Sequence, residues 1–211
     1  MKLLLATRST HKLREIRAIL RDEPEIELVD LNAAAVPVSG DEDLIEAFDT
    51  FEANAVAKAI YFHRKTGLPT AADDSGIVVD ALGGAPGVRS KRFAPVRDGV
   101  AGEARDRENL EHLLRRLSTV TLAERTARYV CVVALVTDQD HEPGIFRGTV
   151  EGLILGHPQG KGGFGYDPVF YHRGLGRTFA EFAPEEKDAV SHRGIAFREL
   201  TRHFSEVREG S

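Results

Sequence analysis

The sequence has a single cysteine, and this scarcity excludes two classes of small protein. One cysteine forms no internal disulfide framework and no metal site made of cysteines alone. Cys131 lies within an apolar run at residues 128–136, so we interpret it as a core residue. Such a buried thiol fits a reducing compartment.

Long apolar runs are also missing. The stretch before Arg8 is too short for a signal peptide, and no run reaches the roughly 20 residues that a membrane helix needs. We therefore expect a soluble, cytoplasmic protein without a membrane partner. The 211 residues show no internal repeat or low-complexity tract, and 42% hydrophobic with 29% charged residues is typical of a globular protein.

Positive charge is missing from one long early segment. Residues 22–57 contain no lysine or arginine but eleven acidic residues, whereas residues 1–21 contain six basic residues and one acid, Glu15. The net charge of −5 thus divides into +5 for residues 1–21 and −10 for the remainder. Net acidity argues against stable nucleic-acid binding. The acidic segment fits a solvated loop, and beside a basic segment it also fits a site for metal and phosphate.

The apolar pattern predicts an α/β fold whose sheet is not purely parallel. A strand at 3–6 leads through polar residues 7–10 into a helix capped by Ser9 or Thr10, and a free helix start of this kind attracts anions. Strands are further predicted at 26–29, 129–136, 145–155 and 169–171, and helices around 110–117, 184–190 and 197–204.

A helix is also predicted at about 50–65, and its cap is predicted to be Asp49. Asp49 and Glu52 have the spacing of a capping box. Lys58 lies at helical spacing from Asn54, so both side chains are expected on one side of this helix. A lone lysine on a helix is usually exposed to solvent, which is the alternative for Lys58.

The sequence Asp73-Asp74-Ser75-Gly76 is predicted to form a turn between strand pieces at 70–72 and 77–79. A carboxylate at the end of an apolar strand is a common metal ligand in α/β proteins. Neighbouring strand residues point to opposite faces, so we expect one of the two aspartates to face the site. The alternative is an Asx-turn without chemistry.

The glycine-rich segment 160–165 matches the pattern GxGxxG, but we reject a dinucleotide site there. The segment is followed by Tyr166-Asp167-Pro168 and a strand, whereas the dinucleotide motif opens a helix. What remains is a loop that brings backbone, one ring and one carboxylate close to a ligand, or else a flexible hairpin.

Two further groups of polar residues are candidates for ligand binding. Thr7 and Lys12, on the first turn and helix, are suited to phosphate oxygens. Lys187, Ser191, His192 and Arg193 form a cluster rich in hydrogen-bond donors.

Taken together, these segments resemble the HAM1/RdgB-like family of inosine/xanthosine triphosphate pyrophosphatases. The shared motifs occur in the order and at the spacing of that family and span about residues 3–200. They are Ala6-Thr7 with Lys12, Thr50-Phe51 with Asn54-Ala55 and Lys58-Ala59, and the segments 72–76, 80–88, 163–170, 186–187 and 191–194.

The resemblance implies a single α/β domain over residues 1–211, with a mixed central sheet flanked by helices and an active-site cleft between two lobes. It implies Mg²⁺-dependent hydrolysis of ITP, dITP, XTP and dXTP to monophosphate and pyrophosphate, in a homodimer. Asp74 and Lys58 would be catalytic, and Glu46 and Asp74 would hold Mg²⁺, with Asp49 as a rival ligand. The substrate-binding residues would be Thr7, Arg8, Ser9, Thr10, His11, Lys12, Ser75, Phe164, Gly165, Tyr166, Asp167, Lys187, His192 and Arg193.

The later motifs would select the base. Phe164 offers a stacking face, the Asp167 carboxylate accepts a ring N–H, and Lys187, His192 and Arg193 donate to a 6-oxo group. Adenine presents the opposite pattern, and a site built on hydrogen bonds rejects such an analogue by roughly 10⁴-fold. We therefore expect ITP, dITP and XTP to be preferred over ATP.

Two other functions remain open at the level of sequence. One is a pyrophosphatase of the similarly folded Maf group, acting on pyrimidine or modified nucleotides, although its signature motifs are not found. The other is a non-catalytic module that binds nucleotide or nucleic acid, suggested by the basic first 21 residues.

Overall fold

The structure is a computed structural model that describes residues 1–95, 99, 101–138 and 141–209, with side chains except at 43, 44, 208 and 209. The strands are β1 Lys2–Leu5, β2 Glu27–Asp30, β3 Thr70–Val79, β4 Thr126–Val136, β5 Gly144–Ile154, β6 Phe170–His172 and β7 Arg177–Thr178. The α-helices are α1 Thr10–Ile19, α2 Glu42–Ile45, α3 Phe51–Thr66, α4 Gly102–Arg116, α5 Pro184–Val190 and α6 His192–Glu209.

Within the described ranges, these strands form one sheet in the order β2-β1-β3-β4-β5-β6-β7. Strand β1 pairs in parallel with β2 and β3, whereas β6 pairs antiparallel with β5 and β7. The prediction of a mixed sheet flanked by helices is therefore confirmed. None of the helices in the described residues combines the length and the apolar character that crossing a membrane requires.

The chain folds into two compact units, and neither is a continuous segment. Unit 1 consists of Met1–Asp74, Cys131–Gly148 and His192–Ser211, and unit 2 consists of Ser75–Val130 and Thr149–Ser191. Strands β3, β4 and β5 each contribute residues to both units. The single domain over 1–211 and the cleft between lobes stay predictions.

The core of unit 1 is aliphatic. Its buried members are Leu3, Leu5, Ile16, Leu20, Ala71, Cys131, Val133, Leu135, Ala196, Phe197 and Leu200. Each leucine of this kind contributes about 1.5–3 kcal/mol when it is fully buried. Cys131 has no exposed surface, so its interpretation as a core residue is confirmed. Burial and the nearby Asp73 carboxylate raise the pKa of its thiol, which disfavours the reactive thiolate.

The core of unit 2 contains an aromatic cluster. The Tyr129 ring lies parallel to the Phe179 ring at 5.6 Å between centroids, and the Phe170 centroid is 4.6 Å from that of Tyr129. Phe182 meets Phe179 edge to face at 5.9 Å. Offset and edge contacts of this kind stabilise a cluster beyond the area that they bury. Tyr129 is consequently held in one orientation by its neighbours.

The structure confirms the predicted cap of α1 but not that of α3. Helix α1 is capped by Ser9, whose hydroxyl accepts a hydrogen bond from the Lys12 amide at 3.4 Å. Helix α3 is capped by Thr50, whose hydroxyl accepts from the Ala53 amide at 3.1 Å, so the prediction of Asp49 was wrong. Glu52 then occupies the second helical position instead of the third, and its carboxylate pairs with Arg147. It therefore forms no capping box.

The prediction of a turn at residues 73–76 was also wrong, because β3 continues through all four of them. The strand is tightly packed at Gly76, where a Cβ atom would lie 2.5 Å from the Gly87 carbonyl oxygen. The next amide, that of Ile77, donates to the Ser90 hydroxyl at 2.9 Å. Glycine is therefore needed at position 76 for the close approach of a neighbouring backbone segment and not for a turn.

Candidate functional site

Asp73 lies at the centre of a buried ion-pair network in unit 1. Its side chain in β3 accepts from Lys12 of α1 at 3.0 Å and from Arg193 of α6 at 3.3 Å. Arg193 also pairs with Glu15, and both Asp73 and Arg193 are 1% exposed. Buried charges are stable only when paired in this way, so each of the four depends on the others.

The cations decide the protonation state of Asp73. Burial raises the pKa of its carboxyl, but Lys12 and Arg193, with Lys58 further away, outweigh burial and hold that pKa well below its usual range. Burial likewise lowers the pKa of Lys12, but Asp73 outweighs it and the pKa is raised. Both groups are therefore charged at neutral pH.

Asp74 has different surroundings, although it follows Asp73 directly. Its carboxylate accepts from the Asn54 amide nitrogen at 3.1 Å, and the side chain is 8% exposed. Burial raises the pKa of this carboxyl, with a further contribution from the Glu46 charge, and Lys12 and Lys58 offset this only in part. Asp73 and Asp74 thus have different hydrogen-bond partners, and the expectation that one of the two faces the site stays a prediction.

Glu46 and Lys58 form an ion pair in unit 1. Glu46 is the residue that ends α2, and Lys58 lies in the middle of α3 with its side chain nearly buried. The Glu46 charge adds to the effect of burial in raising the pKa of Asp74. Asp49, the rival ligand, is exposed. This arrangement favours Glu46 as the partner of Asp74.

The predicted phosphate-binding residues surround the start of α1. The Thr7 hydroxyl accepts from the Ser9 amide at 3.2 Å, and Thr10 is the exposed first residue of the helix. His11 contacts Arg14 through its Nδ1 atom at 3.2 Å. Lys12 pairs with the Asp73 carboxylate at 3.0 Å.

Arg8 donates hydrogen bonds to one carboxylate and two backbone carbonyls. Its guanidinium donates to both Glu42 carboxylate oxygens, at 2.8 and 3.1 Å, and to the carbonyls of Val36 and Pro37 at 3.0 and 2.9 Å. The Glu42 hydrogen bond raises the pKa of Arg8. Arg8 thus fastens the segment before α2, and its predicted contact with substrate stays a prediction.

A second carboxylate cluster lies in unit 2 around Asp167. One carboxylate oxygen accepts from Lys187 at 2.6 Å and from the Phe164 amide at 2.8 Å, and the other accepts from the Tyr129 hydroxyl at 3.1 Å. The Lys187 ammonium also lies 4.7 Å from the centre of the Phe164 ring. The predicted residues Phe164, Asp167 and Lys187 are therefore neighbours, with a ring, a carboxylate and an ammonium in contact.

The glycine loop that carries Phe164 needs a glycine at position 163. Gly163 has a φ of +69°, and a Cβ atom there would lie 2.7 Å from the Asp167 Cβ. The next residues are anchored within unit 2, because the Gly165 amide donates to Asp106 at 3.2 Å and the Tyr166 hydroxyl donates to the Ser90 carbonyl at 2.8 Å. The loop is thus fixed by hydrogen bonds at successive residues.

The remaining predicted residues divide between the two units. His192 and Arg193 begin α6 in unit 1, where both are buried, and Ser75 is a half-buried residue of β3 in unit 2. Arg193 donates to Asp73 and Glu15, as described above. The predicted contact of His192 and Arg193 with a 6-oxo group stays a prediction.

The chain matches one known protein family over nearly its whole length. A model of the Ham1 family matches residues 3–203. The chain belongs to the Ham1 family.

Several relatives in the Ham1 family are similar over their whole length. A dITP/XTP pyrophosphatase of Symbiobacterium thermophilum is 46% identical over 99% of this chain and 98% of its own. A second, of Frankia alni, is 44% identical over 98% of both chains. The solved structure of a HAM1 protein from Coxiella burnetii has a TM-score of 0.84 at 39% identity and covers 98% of this chain and 99% of its own.

The unit 1 carboxylates fit the cation that the Ham1 resemblance implies. Among the described residues, no group of three or more histidine, cysteine or acidic side chains is placed to hold a metal ion. Mg²⁺ needs fewer protein ligands than that, since one or two carboxylates with substrate phosphates and waters complete its shell. Glu46 and Asp74 supply hard oxygen ligands whose mutual repulsion a cation would relieve.

Three residues in the clusters around Asp73, Asp74 and Asp167 were not predicted as functional residues. Tyr129 reaches Asp167 across 38 positions, and nothing in the local sequence marks it. Glu15 had one signal, as the only acid among the first 21 residues. Asn54 was noted for its spacing from Lys58 and as part of a shared motif but was given no role, whereas the structure gives it a direct hydrogen bond to Asp74.

Proposed function

We propose that this chain hydrolyses ITP, dITP, XTP and dXTP between the α- and β-phosphates, releasing the nucleoside monophosphate and pyrophosphate. Its full-length similarity to proteins named dITP/XTP pyrophosphatases supports this function. The observation that carries it is the pair of ion pairs beside buried Asp74 in unit 1. Lys12 pairs with the preceding Asp73, and Lys58, on the helix whose Asn54 donates to Asp74, pairs with Glu46. A carboxylate beside two ammonium groups and a second carboxylate suits an anionic substrate brought with a divalent cation.

Glu46 and Asp74 would hold Mg²⁺ in the proposed complex. When bound, this ion neutralises phosphate charge and acidifies the water that it coordinates. Asp74 would orient the attacking water and accept its proton. A pKa raised above that of an ordinary aspartate suits this role, because a general base works best with a pKa near the working pH.

Lys12 and Lys58 would stabilise the charge on the phosphates and on the leaving pyrophosphate. Each ammonium is paired with a carboxylate in the structure, Lys12 with Asp73 and Lys58 with Glu46. Phosphate oxygens would replace or share these pairs, so the ammonium groups keep anionic partners throughout. Catalysis of phosphoryl transfer depends chiefly on such positioning and neutralisation.

The Asp167 cluster would select the base. Phe164 would stack on the purine, the Asp167 carboxylate would accept the ring N–H of a 6-oxopurine, and Lys187 would donate to its 6-oxo group. Three protein donors already hold this carboxylate in place, which keeps it oriented. Adenine has no proton on the corresponding ring nitrogen and would leave the carboxylate without that partner.

We also propose a homodimer that acts on the nucleotide pool of the cytoplasm without a stable nucleic-acid partner. The net charge of −5 supports the last point. The Maf-like alternative predicts a pyrimidine or modified nucleotide as the substrate, and the non-catalytic alternative predicts no turnover.

Product identification tests the proposed function. The purified chain is incubated with Mg²⁺ and, in separate reactions, ITP, dITP, XTP, GTP, ATP and UTP, and the products are separated by ion exchange. We expect monophosphate and pyrophosphate from ITP, dITP and XTP. Orthophosphate with diphosphate, or no turnover above buffer, would overturn the proposal, and a preference for UTP would favour the Maf-like alternative.

A further inference from the structure

Asn54 connects Asp74 with the backbone of Phe48, two residues after Glu46. This buried residue of α3 is 2% exposed. Its side-chain oxygen accepts from the Phe48 amide at 2.9 Å, and its nitrogen donates to the Phe48 carbonyl at 3.1 Å. The same nitrogen donates to an Asp74 carboxylate oxygen at 3.1 Å. One amide group therefore makes three hydrogen bonds.

The orientation of this amide is fixed by its partners. The Phe48 N–H group only donates, so the side-chain oxygen of Asn54 must face it. Both hydrogens of the nitrogen are then directed at acceptors, the Phe48 carbonyl and the Asp74 carboxylate. No rotation of the amide keeps all three bonds, which makes Asn54 a rigid connection between the two.

Phe48 lies two residues after Glu46 in the segment that joins α2 to α3. Fixing both backbone groups of Phe48 restricts where this short segment holds the Glu46 carboxylate. The third bond fixes the Asp74 carboxylate relative to the same amide. We propose that Asn54 is a positioning residue that sets the separation of Glu46 and Asp74, an inference that rests on the proposed function of that pair.

Asn109 provides a matched control in unit 2. It is also 2% exposed and lies on a helix, α4. Its oxygen accepts from the Ala94 amide at 2.8 Å, and its nitrogen donates to the Lys91 carbonyl at 3.0 Å. Both asparagines thus hold the backbone of an earlier segment, but only Asn54 also binds a carboxylate of the proposed metal pair. Loss of either should cost similar stability.

The test compares Asn54→Ala and Asn54→Ser with Asn109→Ala and the wild type. Mn²⁺ is titrated into each protein without nucleotide, because a triphosphate would itself chelate the ion, and free Mn²⁺ is read from its electron paramagnetic resonance signal. We expect the Mn²⁺ dissociation constant to rise about 10- to 100-fold in the Asn54 variants, as is typical when a partner of a metal ligand is removed. It should be unchanged in Asn109→Ala.

Steady-state kinetics provide a second readout. With ITP and saturating Mg²⁺, the Asn54 variants should lose kcat while KM changes little, because the nucleotide contacts remain. Wild-type affinity for Mn²⁺ in a folded Asn54 variant would overturn the proposal, as would an equal loss in Asn109→Ala. Failure of both Asn54 variants to fold, when Asn109→Ala folds, would show that the bonds serve stability and would also overturn it.

The role of Asn54 and the proposed function can be overturned separately. Mn²⁺ binding without nucleotide needs no turnover, so it reports on Asn54 even if the wild type releases no pyrophosphate from ITP, which would remove the proposed function alone. A wild type that binds no Mn²⁺ would overturn the assignment of Glu46 and Asp74 and the role of Asn54 with it.

Discussion

The two carboxylate clusters of this protein differ in what surrounds the carboxylates. In unit 1, Asp73 and Asp74 lie among charged groups, chiefly the ammonium groups of Lys12 and Lys58 and the guanidinium of Arg193. In unit 2, Asp167 is surrounded by one ammonium, one tyrosine hydroxyl, one backbone amide and aromatic rings. The first environment suits highly charged phosphates and a cation, and the second suits a flat, neutral base with a few polar edges.

The comparison repeats on a smaller scale within unit 1. Lys12 and Arg193 pair with Asp73 and lower the pKa of its carboxyl, whereas burial, with a further contribution from the Glu46 charge, raises the pKa of Asp74. Adjacent strand residues project to opposite faces, which explains how neighbours acquire opposite shifts. We therefore expect Asp73 to contribute to stability, and we propose Asp74 as the aspartate that takes part in the chemistry.

The largest effect is expected from Asp74→Asn. This change removes the proposed proton acceptor and one metal ligand, while the asparagine still fits beside Asn54. We expect kcat for ITP to fall by about 10²- to 10⁴-fold, the usual contribution of a general base. Thermal unfolding should be close to wild type. Normal turnover in this variant would remove Asp74 from the mechanism.

Asp73→Asn should act on stability instead. It leaves Lys12 and Arg193 buried with less negative charge, and breaking a buried pair in this way costs about 3–5 kcal/mol. The carboxyl has a lowered pKa in the folded state, so its contribution is present above the ordinary aspartate pKa of about 3.9 and is lost as the pH falls below it. Urea unfolding at pH 7 and pH 3 checks both points.

The gap in unfolding free energy between wild type and Asp73→Asn should be large at pH 7 and smaller at pH 3. An equal gap at the two pH values would contradict the ion-pair account. Asp74→Asn serves as the control, since a raised pKa predicts no such loss of stability at low pH.

A smaller effect is expected from the comparison of Glu46→Gln with Asp49→Asn. Glu46 contacts Lys58 and acts on Asp74, whereas Asp49 is exposed. Glu46→Gln should raise the Mg²⁺ concentration for half-maximal activity by at least about 10-fold, and Asp49→Asn should not. The reverse result would make Asp49 the ligand and separate Glu46 from the metal.

The sequence predicted most elements of this fold because their apolar patterns are local. The strands β2 and β5 and the helix α5 lie within one residue of their predicted bounds, and β4 begins three residues earlier than predicted. The errors have physical causes that lie elsewhere in the chain. At residues 73–76 the strand is continuous, and Asp73 within it pairs with Lys12 from a distant segment. The cap of α3 is Thr50, and Glu52 pairs with the distant Arg147.

The sequence predicted only those parts of the candidate site that local patterns record. Motifs close in sequence, such as 164–167, identify residues that are neighbours in the structure. Partners such as Tyr129 for Asp167 and Glu15 for Arg193 come from remote segments and depend on packing that no local pattern records. The ion pair between Arg193 and Asp73 was not predicted, because the resemblance implies that Arg193 contacts the base.

The ratio of kcat/KM for ITP to that for ATP, measured in the wild type and in Asp167→Asn, tests most directly whether unit 2 selects the base. The wild-type ratio should be on the order of 10⁴. Asparagine at 167 can donate to the unprotonated ring nitrogen of adenine, so the ratio should fall steeply, with part of the change coming from faster hydrolysis of ATP. An unchanged ratio in a folded, active Asp167→Asn variant would contradict the account.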